Sequence, residues 1–339
     1  MAAPIDEFEL IARHFAPLAG NTPGALGLRD DAGLIRVPDG MDLVVSADTV
    51  VAGIHFPDDM AAGDIARRAL RVNLSDIAAK GAAPVAYTLA LQLPSGIDDA
   101  WLAAFAGALA VDQQAYGPGL LGGDTTGTSG PLAINISIFG YVTENKMIKR
   151  SGAVAGDDVY VTGSVGDAAL GLAVIQGRMS LPDAGDRDAL AGRFLRPEPR
   201  VFTGARLVGL ASAAADVSDG LLADLGHVCT ASGVGAEIRL DDVPLSDSAR
   251  AAVTDDQPLR LSLLAGGDDY EIVLTAPQSA RSAIADAARD TGVAITRIGR
   301  TVARDTQDRP VVVLDEAGNR LDAGDGGFRH FRAEVPRPE

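Results

Sequence analysis

Strand and helix patterns alternate along most of this 339-residue sequence, and that alternation is what most limits the folds open to it. β-branched and apolar segments predict strands at 43–54, 85–93, 132–142, 159–162, 236–240, 270–275, 294–300 and 311–314, with a short apolar strand before Gly122. Apolar residues at helical spacing predict helices at 64–80, 98–116, 167–176, 199–210 and 279–291, and one that starts near Asp219. This order is typical of an α/β (α+β) architecture, and the length suits two domains, 1–150 and 151–339.

The charge and the cysteine content exclude several classes of protein. Lys and Arg number 29 against 46 Asp and Glu, a formal net charge of −17, so the chain repels the backbone of nucleic acid. The single cysteine, Cys229, excludes an intrachain disulfide and a cysteine-based metal site. The acidic start, with Asp6, Glu7 and Glu9, and the lack of an apolar run long enough to span a bilayer lead us to expect a cytoplasmic protein without membrane segments.

Common nucleotide-binding and hydrolase motifs are missing from the sequence. It contains no Gly-Lys-Ser/Thr, HExxH or GxSxG segment, which excludes a P-loop NTPase and the usual zinc proteases and α/β-hydrolases. A GxGxxG match at 117–122 follows a helical pattern and leads into an apolar strand. That order is the reverse of a dinucleotide-binding site, so we interpret it as a chance match.

Aspartates recur beside small residues at strand ends and helix starts, namely Asp30-Asp31, Asp48, Asp76, Asp124, and Asp216 with Asp219. Carboxylates that converge repel one another, and binding hard divalent cations is a common way to keep them ionised. Mg²⁺ usually shares its coordination shell with water and substrate phosphates, so the pattern predicts a nucleoside triphosphate site. Gly122 and Gly123 would let backbone amides approach phosphate oxygens closely.

One face of the predicted helix 64–80 has two possible interpretations. We expect Asp64 to cap this helix and Gly81 to end it. Asn73, Asp76 and Lys80 are spaced by three and four residues, so they share one face. That face is either a ligand-binding surface or an ordinary solvated one.

Other segments that could carry function also have a structural interpretation. Asp216–Gly220 could be only a helix N-terminus, and Gly163–Gly166 could be a turn between a strand and a helix instead of a phosphate loop. His55 could be structural, Arg150 an exposed loop charge, and Phe328 a core anchor. The combination of segments carries more information than any one of them.

Taken in order, these segments resemble the thiamine-monophosphate kinases, which belong to a superfamily with aminoimidazole ribonucleotide synthetase, selenophosphate synthetase and a hydrogenase maturation factor. The resemblance covers essentially the whole chain. Its blocks in the first half are Phe8–Arg13, Arg29–Ala32, Ser46–Phe56, Val72–Ala82, Gly122–Thr126 and Arg150–Ala153. Its blocks in the second half are Leu195–Pro197, Asp216–Leu221, Gly266–Glu271 and Gly327–Phe331.

The resemblance implies both an activity and a fold. The expected reaction is transfer of the γ-phosphoryl group of ATP to the phosphate of thiamine monophosphate, giving ADP and thiamine diphosphate, the last step of thiamine diphosphate biosynthesis. The expected fold is the two-domain aminoimidazole ribonucleotide synthetase-like fold, with 1–150 as the ATP- and magnesium-binding and dimerisation domain and 151–339 as a C-terminal α/β domain. The N-terminal sheets would pair across a homodimer, and the active site would lie between the domains.

The resemblance also implies a role for each site residue. Several magnesium ions would be held by Asp31, Ser46, Asp48, Asp76, Asp124, Asp216 and Asp219. ATP would be contacted by Gly123, Asp124, Arg150 and Ser218, and thiamine monophosphate by His55, Asp268 and Phe328. Asp76, Asp124 and Arg150 are the expected catalytic residues. Phosphoryl transfer depends on alignment and charge neutralisation, and the acceptor is an ionised phosphate, so neither a nucleophilic side chain nor a general base is needed.

Two other functions compete with this one. The first is another ATP-dependent reaction of the same superfamily, which the blocks around His55 and Phe328 count against. The second is a non-catalytic metal- or nucleotide-binding protein, which the presence of Arg150 with all the family aspartates counts against.

Three positions depart from the family pattern. Arg29 stands where glycine is usual before the acidic pair and could add a phosphate contact. Ala47 replaces a common threonine, so only its backbone carbonyl could act as a ligand. Asp268 replaces the more frequent glutamate and reaches one methylene less far.

Overall fold

The chain forms two compact units, each described here by itself. The computed structural model describes residues 7–254, 256–305, 309–324 and 327. The first unit comprises residues up to Lys149 together with Leu195–Leu210 and Asp286–Gly292. The second comprises Arg150–Phe194, Ala211–Ala285 and residues from Val293 onward.

The helices and strands follow one another in the alternating order that the sequence predicts. The strands are β1 (Met41–Val51), β2 (Ala83–Pro94), β3 (Gly119–Thr128), β4 (Ala133–Thr143), β5 (Asp158–Thr162), β6 (Ala213–Asp216), β7 (Val234–Arg239), β8 (Ile272–Ala276), β9 (Ile295–Ala303), β10 (Val311–Leu314) and β11 (Arg320–Leu321). The α-helices are α1 (Glu7–Leu10), α2 (Ala16–Ala19), α3 (Ala62–Ala79), α4 (Asp99–Tyr116), α5 (Asp167–Ile175), α6 (Ala184–Leu195), α7 (Val201–Leu207), α8 (Leu221–Ser232), α9 (Asp247–Ala252), α10 (Gln257–Leu263) and α11 (Arg281–Thr291). Within the described residues, no helix is both long and apolar enough to cross a membrane.

The first unit is built on a four-stranded sheet in the order β1-β4-β2-β3. β4 is antiparallel to both of its neighbours, whereas β2 and β3 are parallel and are joined by the crossover helix α4. Every second residue of β4 is buried, including Ile134, Ile136 and Ile138. This alternation gives the sheet one face that packs into the core of the unit.

Helix α3 packs on β1 and β4. The predicted apolar stripe is fully buried: Ile65, Ala69, Val72 and Ile77. The expectation that Asp64 caps the helix is wrong, because Ala61 is the N-cap and Asp64 lies in the first turn, where a negative charge still favours the helix dipole. Gly81 follows the helix with a φ of 70°, and this left-handed conformation ends it as predicted.

The boundary between α4 and β3 accounts for the GxGxxG match. Asp98 caps α4 by accepting a hydrogen bond from the amide of Trp101 at 2.8 Å, and Gly117 ends it in the left-handed region. The remaining glycines of the match, Gly119 and Gly122, lie in β3. The match is therefore a helix end followed by a strand, and its interpretation as a chance match is confirmed.

The second unit is built on a seven-stranded sheet in the order β11-β10-β7-β9-β5-β8-β6. All five residues of β5 and all five of β8 are buried. Helix α8 packs on β6, β7, β8 and β10. Its Leu221, Leu225 and Val228 join the largest apolar cluster of this unit.

Seven of these strands and α-helices were not predicted from the sequence: α1, α2, α6, β6, α9, α10 and β11. Strand β6 has the sequence Ala-Ala-Ala-Asp, which carries no β-branched signal, and it forms because it pairs with β8. The segment Leu195–Leu210, which contains α7, is counted with the first unit although its position in the sequence suggested the second. Helix α7 packs on α3.

The close approach of α7 to α3 makes one stability prediction. A Cβ on Gly204 would lie 1.9 Å from the carbonyl oxygen of Ala78, so we expect Gly204→Ala to force the helices apart and to lower the free energy of unfolding by about 1–3 kcal/mol. Gly107 on α4 is the matched control, because nothing lies within 4 Å of its Cβ position and alanine favours a helix. Gly107→Ala is expected to leave the stability unchanged or to raise it by up to about 1 kcal/mol in urea unfolding. Equal stability of both variants would contradict the prediction.

Candidate active site

Two hydrogen bonds tie α3 to β1 at the predicted magnesium ligands. The hydroxyl of Ser46 donates to Asp76 Oδ2 at 2.5 Å, and the amide of Asp48 donates to Asn73 Oδ1 at 3.0 Å. Asn73 is only 1% exposed and donates to the carbonyl of Ala69 at 2.9 Å. The face shared by Asn73 and Asp76 is therefore directed at β1 and is not an ordinary solvated one, whereas its role in ligand binding stays a prediction. The structural role of Asn73 was not predicted.

A cavity of about 600 Å³ lies in the first unit, and predicted site residues form part of its wall. Its polar wall contains Asp30, Asp31, Gly122, Gly123 and Asp124. Its apolar wall includes Phe15, Leu28, Ile35, Leu120 and Phe139. A cavity with an apolar wall and a few convergent polar groups is the usual form of a small-molecule site.

The two glycines in this wall have different roles. A Cβ on Gly123 would lie 1.9 Å from the carbonyl oxygen of Leu89 on the paired strand, so β2 and β3 can only approach if this residue is glycine. Nothing lies within 4 Å of the Cβ position of Gly122. At Gly122 there is space for a phosphate to approach the backbone, as predicted. At Gly123 the absence of a side chain is required by the pairing of β2 with β3.

The strand register relates the cavity wall to the β1–α3 contact. One row of the sheet joins Asp48 to Ile136, Ile136 to Leu89, and Leu89 to Gly123. Asp124 belongs to the next row, and successive side chains of a strand point to opposite faces. The hydrogen bonds between β1 and α3 bring Ser46, Asp48 and Asp76 together, and the cavity wall brings Asp31 together with Asp124. The register does not place Asp124 beside Asp48.

His55 lies in the turn that follows β1. Its Nδ1 accepts a hydrogen bond from the amide of Val51 at 3.0 Å, and its carbonyl accepts one from Nε of the buried Arg68 at 3.0 Å. A neutral imidazole whose Nδ1 accepts carries its proton on Nε2. The turn therefore fixes both the position and the tautomer of this ring.

In the second unit, Asp216 lies at the end of β6, and Ser218 and Asp219 lie on the loop between β6 and α8. Asp216 is the last residue of β6 and is buried. The amides of Ser218 and Asp219 both donate to Asp224 Oδ2 at 3.0 Å. Burial raises the pKa of Asp224 to about 7, and repulsion from Asp219 acts in the same direction. Asp224 was not singled out from the sequence, although it follows Asp219 by five residues.

A cluster of possible metal ligands on α8 and the loop before it was also not predicted. One ligand atom each from Asp219, Asp224 and His227 lies within 4.8 Å of the others. The signal in the sequence is the spacing of three between Asp224 and His227, which puts them on one helix face.

Asp268 is held in an uncommon conformation next to the same loop. Its φ is 74°, in the left-handed region that aspartate adopts more readily than most residues. Its amide donates to the carbonyl of Ser218 at 2.8 Å, and the hydroxyl of Tyr270 donates to its Oδ1 at 3.2 Å. The structure thus brings the predicted thiamine-phosphate contact Asp268 together with Ser218.

The residues after Asp268 belong to a buried charged network. Asp269 accepts hydrogen bonds from the amides of Gly166 and Ala168 at 2.6 and 3.2 Å, and burial raises its pKa to about 8. A Cβ on Gly163 would lie 2.1 Å from Oε1 of Glu271. The segment Gly163–Gly166 is therefore packed against acidic side chains of its own unit, which favours the turn interpretation over a phosphate loop.

Arg150 opens the second unit as an exposed residue. Its carbonyl accepts a hydrogen bond from the hydroxyl of Ser232 at 3.2 Å, and the same hydroxyl accepts one from the amide of Gly152 at 3.1 Å. The charge of Arg150 acts to lower the pKa of Asp224, against the effect of burial. Its guanidinium therefore lies within electrostatic range of the loop that carries Ser218 and Asp219. Phe328, the remaining predicted contact, lies outside the described residues.

Comparison with known proteins identifies the family. The AIR synthase related protein N-terminal domain model matches residues 29–142, and the corresponding C-terminal domain model matches residues 154–311. The thiamine-monophosphate kinase of Salmonella typhimurium is 45% identical over 295 residues, which cover 87% of this chain and 90% of that protein.

Solved structures agree with the sequence comparison. The crystal structure of the thiamine-monophosphate kinase from Stenotrophomonas maltophilia K279a superposes with a TM-score of 0.81 at 40% identity, covering 91% of this chain and 96% of that one. AaThiL complexed with AMPPCP and TMP gives a TM-score of 0.75 at 26% identity, with 96% and 97% coverage. The two-domain α/β fold and the family inferred from the motifs are confirmed. The chain belongs to the thiamine-monophosphate kinase family of AIR synthase related proteins.

Proposed function

We propose that this chain transfers the γ-phosphoryl group of ATP to the phosphate of thiamine monophosphate, producing ADP and thiamine diphosphate. The observation that carries the proposal is the 45% identity to a thiamine-monophosphate kinase over 87% of the chain. The complex of AaThiL with AMPPCP and TMP supports both substrates, because AMPPCP is an analogue of ATP. The enzyme is thus a phosphotransferase whose acceptor is itself a phosphate group.

The donor atoms of the candidate site fit magnesium. They are carboxylate and hydroxyl oxygens, the hard ligands that Mg²⁺ prefers, and Ser46 and Asp76 are already within 2.5 Å of each other. We propose that the ions are held by Asp31, Ser46, Asp48, Asp76, Asp124, Asp216 and Asp219. Bound magnesium would supply neutralisation of the charge on the phosphates.

The nucleotide is proposed to bind against the cavity wall of the first unit. Its apolar part, with Phe15 and Leu28, suits a base, and the open Gly122 and the neighbouring Gly123 and Asp124 suit the phosphates. Ser218 and Arg150 are also proposed to contact ATP. Arg150 supplies a permanent positive charge, which stabilises the transferred phosphoryl group without any proton transfer.

Thiamine monophosphate is proposed to contact His55, Asp268 and Phe328. The fixed tautomer of His55 presents an Nε2 proton that can be donated to a phosphate oxygen. The Asp268 carboxylate, oriented by Tyr270, suits the cationic thiazolium ring. The acceptor phosphate is already ionised, so the protein needs to align the two substrates and does not need to activate a nucleophile.

The proposal includes a homodimer formed through the first unit. Strands β1 and β3 are the edges of its sheet, and an unpaired edge exposes backbone donors and acceptors. Val45 on β1 is 56% exposed, which is unusual for a large apolar side chain in a strand. In this proposal the segment 1–150 carries ATP and magnesium binding and dimerisation, and 151–339 is the C-terminal α/β domain. Because ATP is the phosphoryl donor, we place the enzyme in the cytoplasm.

The activity is tested with purified enzyme, ATP, Mg²⁺ and thiamine monophosphate. We expect ADP and thiamine diphosphate in equal amounts, separated and quantified by chromatography, with none formed when EDTA removes the magnesium. Thiamine is the substrate control and is expected to remain unphosphorylated, since the site aligns a bound phosphate. Binding of ATP without formation of thiamine diphosphate would favour another reaction of the superfamily or a binding protein.

Asp76 provides the sharpest test of the metal proposal. We expect Asp76→Asn to lower kcat by roughly 100-fold or more, because it removes one charged oxygen from the proposed cluster. The unfolding temperature without metal should stay the same or rise, since the chain loses one of many negative charges. Asp59→Asn, at an exposed position nearby in sequence, is the control and should keep full activity. Near wild-type turnover by Asp76→Asn would exclude its role as a ligand.

The dimer is tested by size-exclusion chromatography with light scattering. We expect a mass of twice the 34.8 kDa chain. Val45→Lys, which puts a charge on the β1 edge, is expected to shift the equilibrium to monomer at micromolar concentration. A monomeric wild-type protein at all concentrations would exclude the proposed dimer.

A further inference from the structure

Asp224 is a buried carboxylate directly beneath the loop that carries two of the proposed site residues. Its side chain is among the buried polar groups of the second unit, with the residue only 1% exposed. One oxygen, Oδ2, accepts the backbone amides of both Ser218 and Asp219 at 3.0 Å. The hydrogen bonds join consecutive peptide groups to one atom, which fixes the direction of the loop at those residues.

The same loop is joined to the segment that carries Asp268. The amide of Asp268 donates to the carbonyl of Ser218, and the amide of Tyr270 donates to the carbonyl of Val217, both at 2.8 Å. A Cβ on Gly267 would lie 2.4 Å from the Ser218 carbonyl oxygen, so the two backbones are in close contact. A displacement of Ser218 would therefore displace Asp268.

The burial of Asp224 costs free energy of folding, so the stability of the fold does not by itself explain a carboxylate at this position. A buried carboxylate loses hydration, and Asp219 adds a second negative charge nearby. The two amide hydrogen bonds offset part of this loss. The benefit that remains is the fixed conformation of the loop.

We propose that Asp224 is a positioning residue of the phosphoryl-transfer site: it fixes Ser218 and Asp219 for nucleotide and metal and, through the Ser218 carbonyl, fixes Asp268 for thiamine monophosphate. The inference rests on the roles proposed above for Ser218, Asp219 and Asp268. It assigns to Asp224 no contact with either substrate.

The experiment compares Asp224→Ala with Asp224→Asn by steady-state kinetics. In Asp224→Ala both amides lose their acceptor, and we expect roughly a 10-fold or larger rise in the half-saturating Mg²⁺ concentration and in KM for ATP, with KM for thiamine monophosphate rising as well. The asparagine Oδ1 can accept the same two amides, so Asp224→Asn is expected to stay within about threefold of the wild type for all three values. A raised KM in Asp224→Ala and near wild-type values in Asp224→Asn together distinguish a positioning role from a general loss of stability.

Asp158→Ala is the matched structural control. Asp158 is an equally buried carboxylate of the second unit, held by Arg281 at 2.6 and 2.8 Å. We expect this variant to lower the unfolding temperature while leaving KM and the magnesium dependence unchanged. If Asp224→Ala behaves in the same way, or if Asp224→Asn is as impaired as Asp224→Ala, the positioning role is overturned.

Two further variants complete the test. If Asp224→Ala does not fold, Asp224→Glu decides, because it keeps the charge but moves the acceptor by one methylene; a raised KM supports the role and an unchanged KM overturns it. Asp219→Ala separates this inference from the proposed site. An impaired Asp219→Ala with an unaffected Asp224→Ala overturns only the positioning role, whereas an unaffected Asp219→Ala overturns both it and the metal assignment.

Discussion

Repulsion between carboxylates is the constraint on which the arrangement of this acidic chain depends. Aspartates can lie close to one another only where donors or cations offset their charges. The described structure supplies neutral donors at several of these positions: the hydroxyl of Ser46 for Asp76, and backbone amides for Asp224 and Asp269. These hydrogen bonds hold the carboxylates in place in the protein alone.

Much of the fold was predictable because hydrophobic periodicity is a local property. The stripe on α3 and the alternation in β4 are both visible in the sequence, and both correspond to buried faces. Strand β6 was not predictable, because Ala-Ala-Ala-Asp becomes a strand only by pairing with β8. The helix cap was misplaced because α3 begins at Ala62, two residues before Asp64, so that Ala61 is the N-cap and Asp64 lies in the first turn.

Candidate site residues could be predicted where the residue type itself indicates the chemistry. They could not be predicted where a role depends on contacts between residues far apart in the sequence. Aspartates next to glycines pointed to the loops that carry them, and motif order pointed to the family. The structural roles of Asn73 and Asp224 were not predicted, because both side chains accept backbone amides and nothing in a sequence shows which amide a side chain will meet. The paired strand requires glycine at 123, which the sequence did not show, and the contact of Gly123 with ATP stays a prediction.

Segments of the two units alternate along the sequence, and this order affects how the protein folds during synthesis. Helix α7 covers part of α3, with Gly204 against Ala78, yet its residues follow the first 149 by some distance along the chain. During synthesis the first unit cannot cover this face of α3 until Leu210 has left the ribosome, by which time β5 of the second unit has also emerged. The two units therefore overlap in time while they fold, and a ribosome pausing between Lys149 and Leu195 would hold a first unit with an uncovered helix.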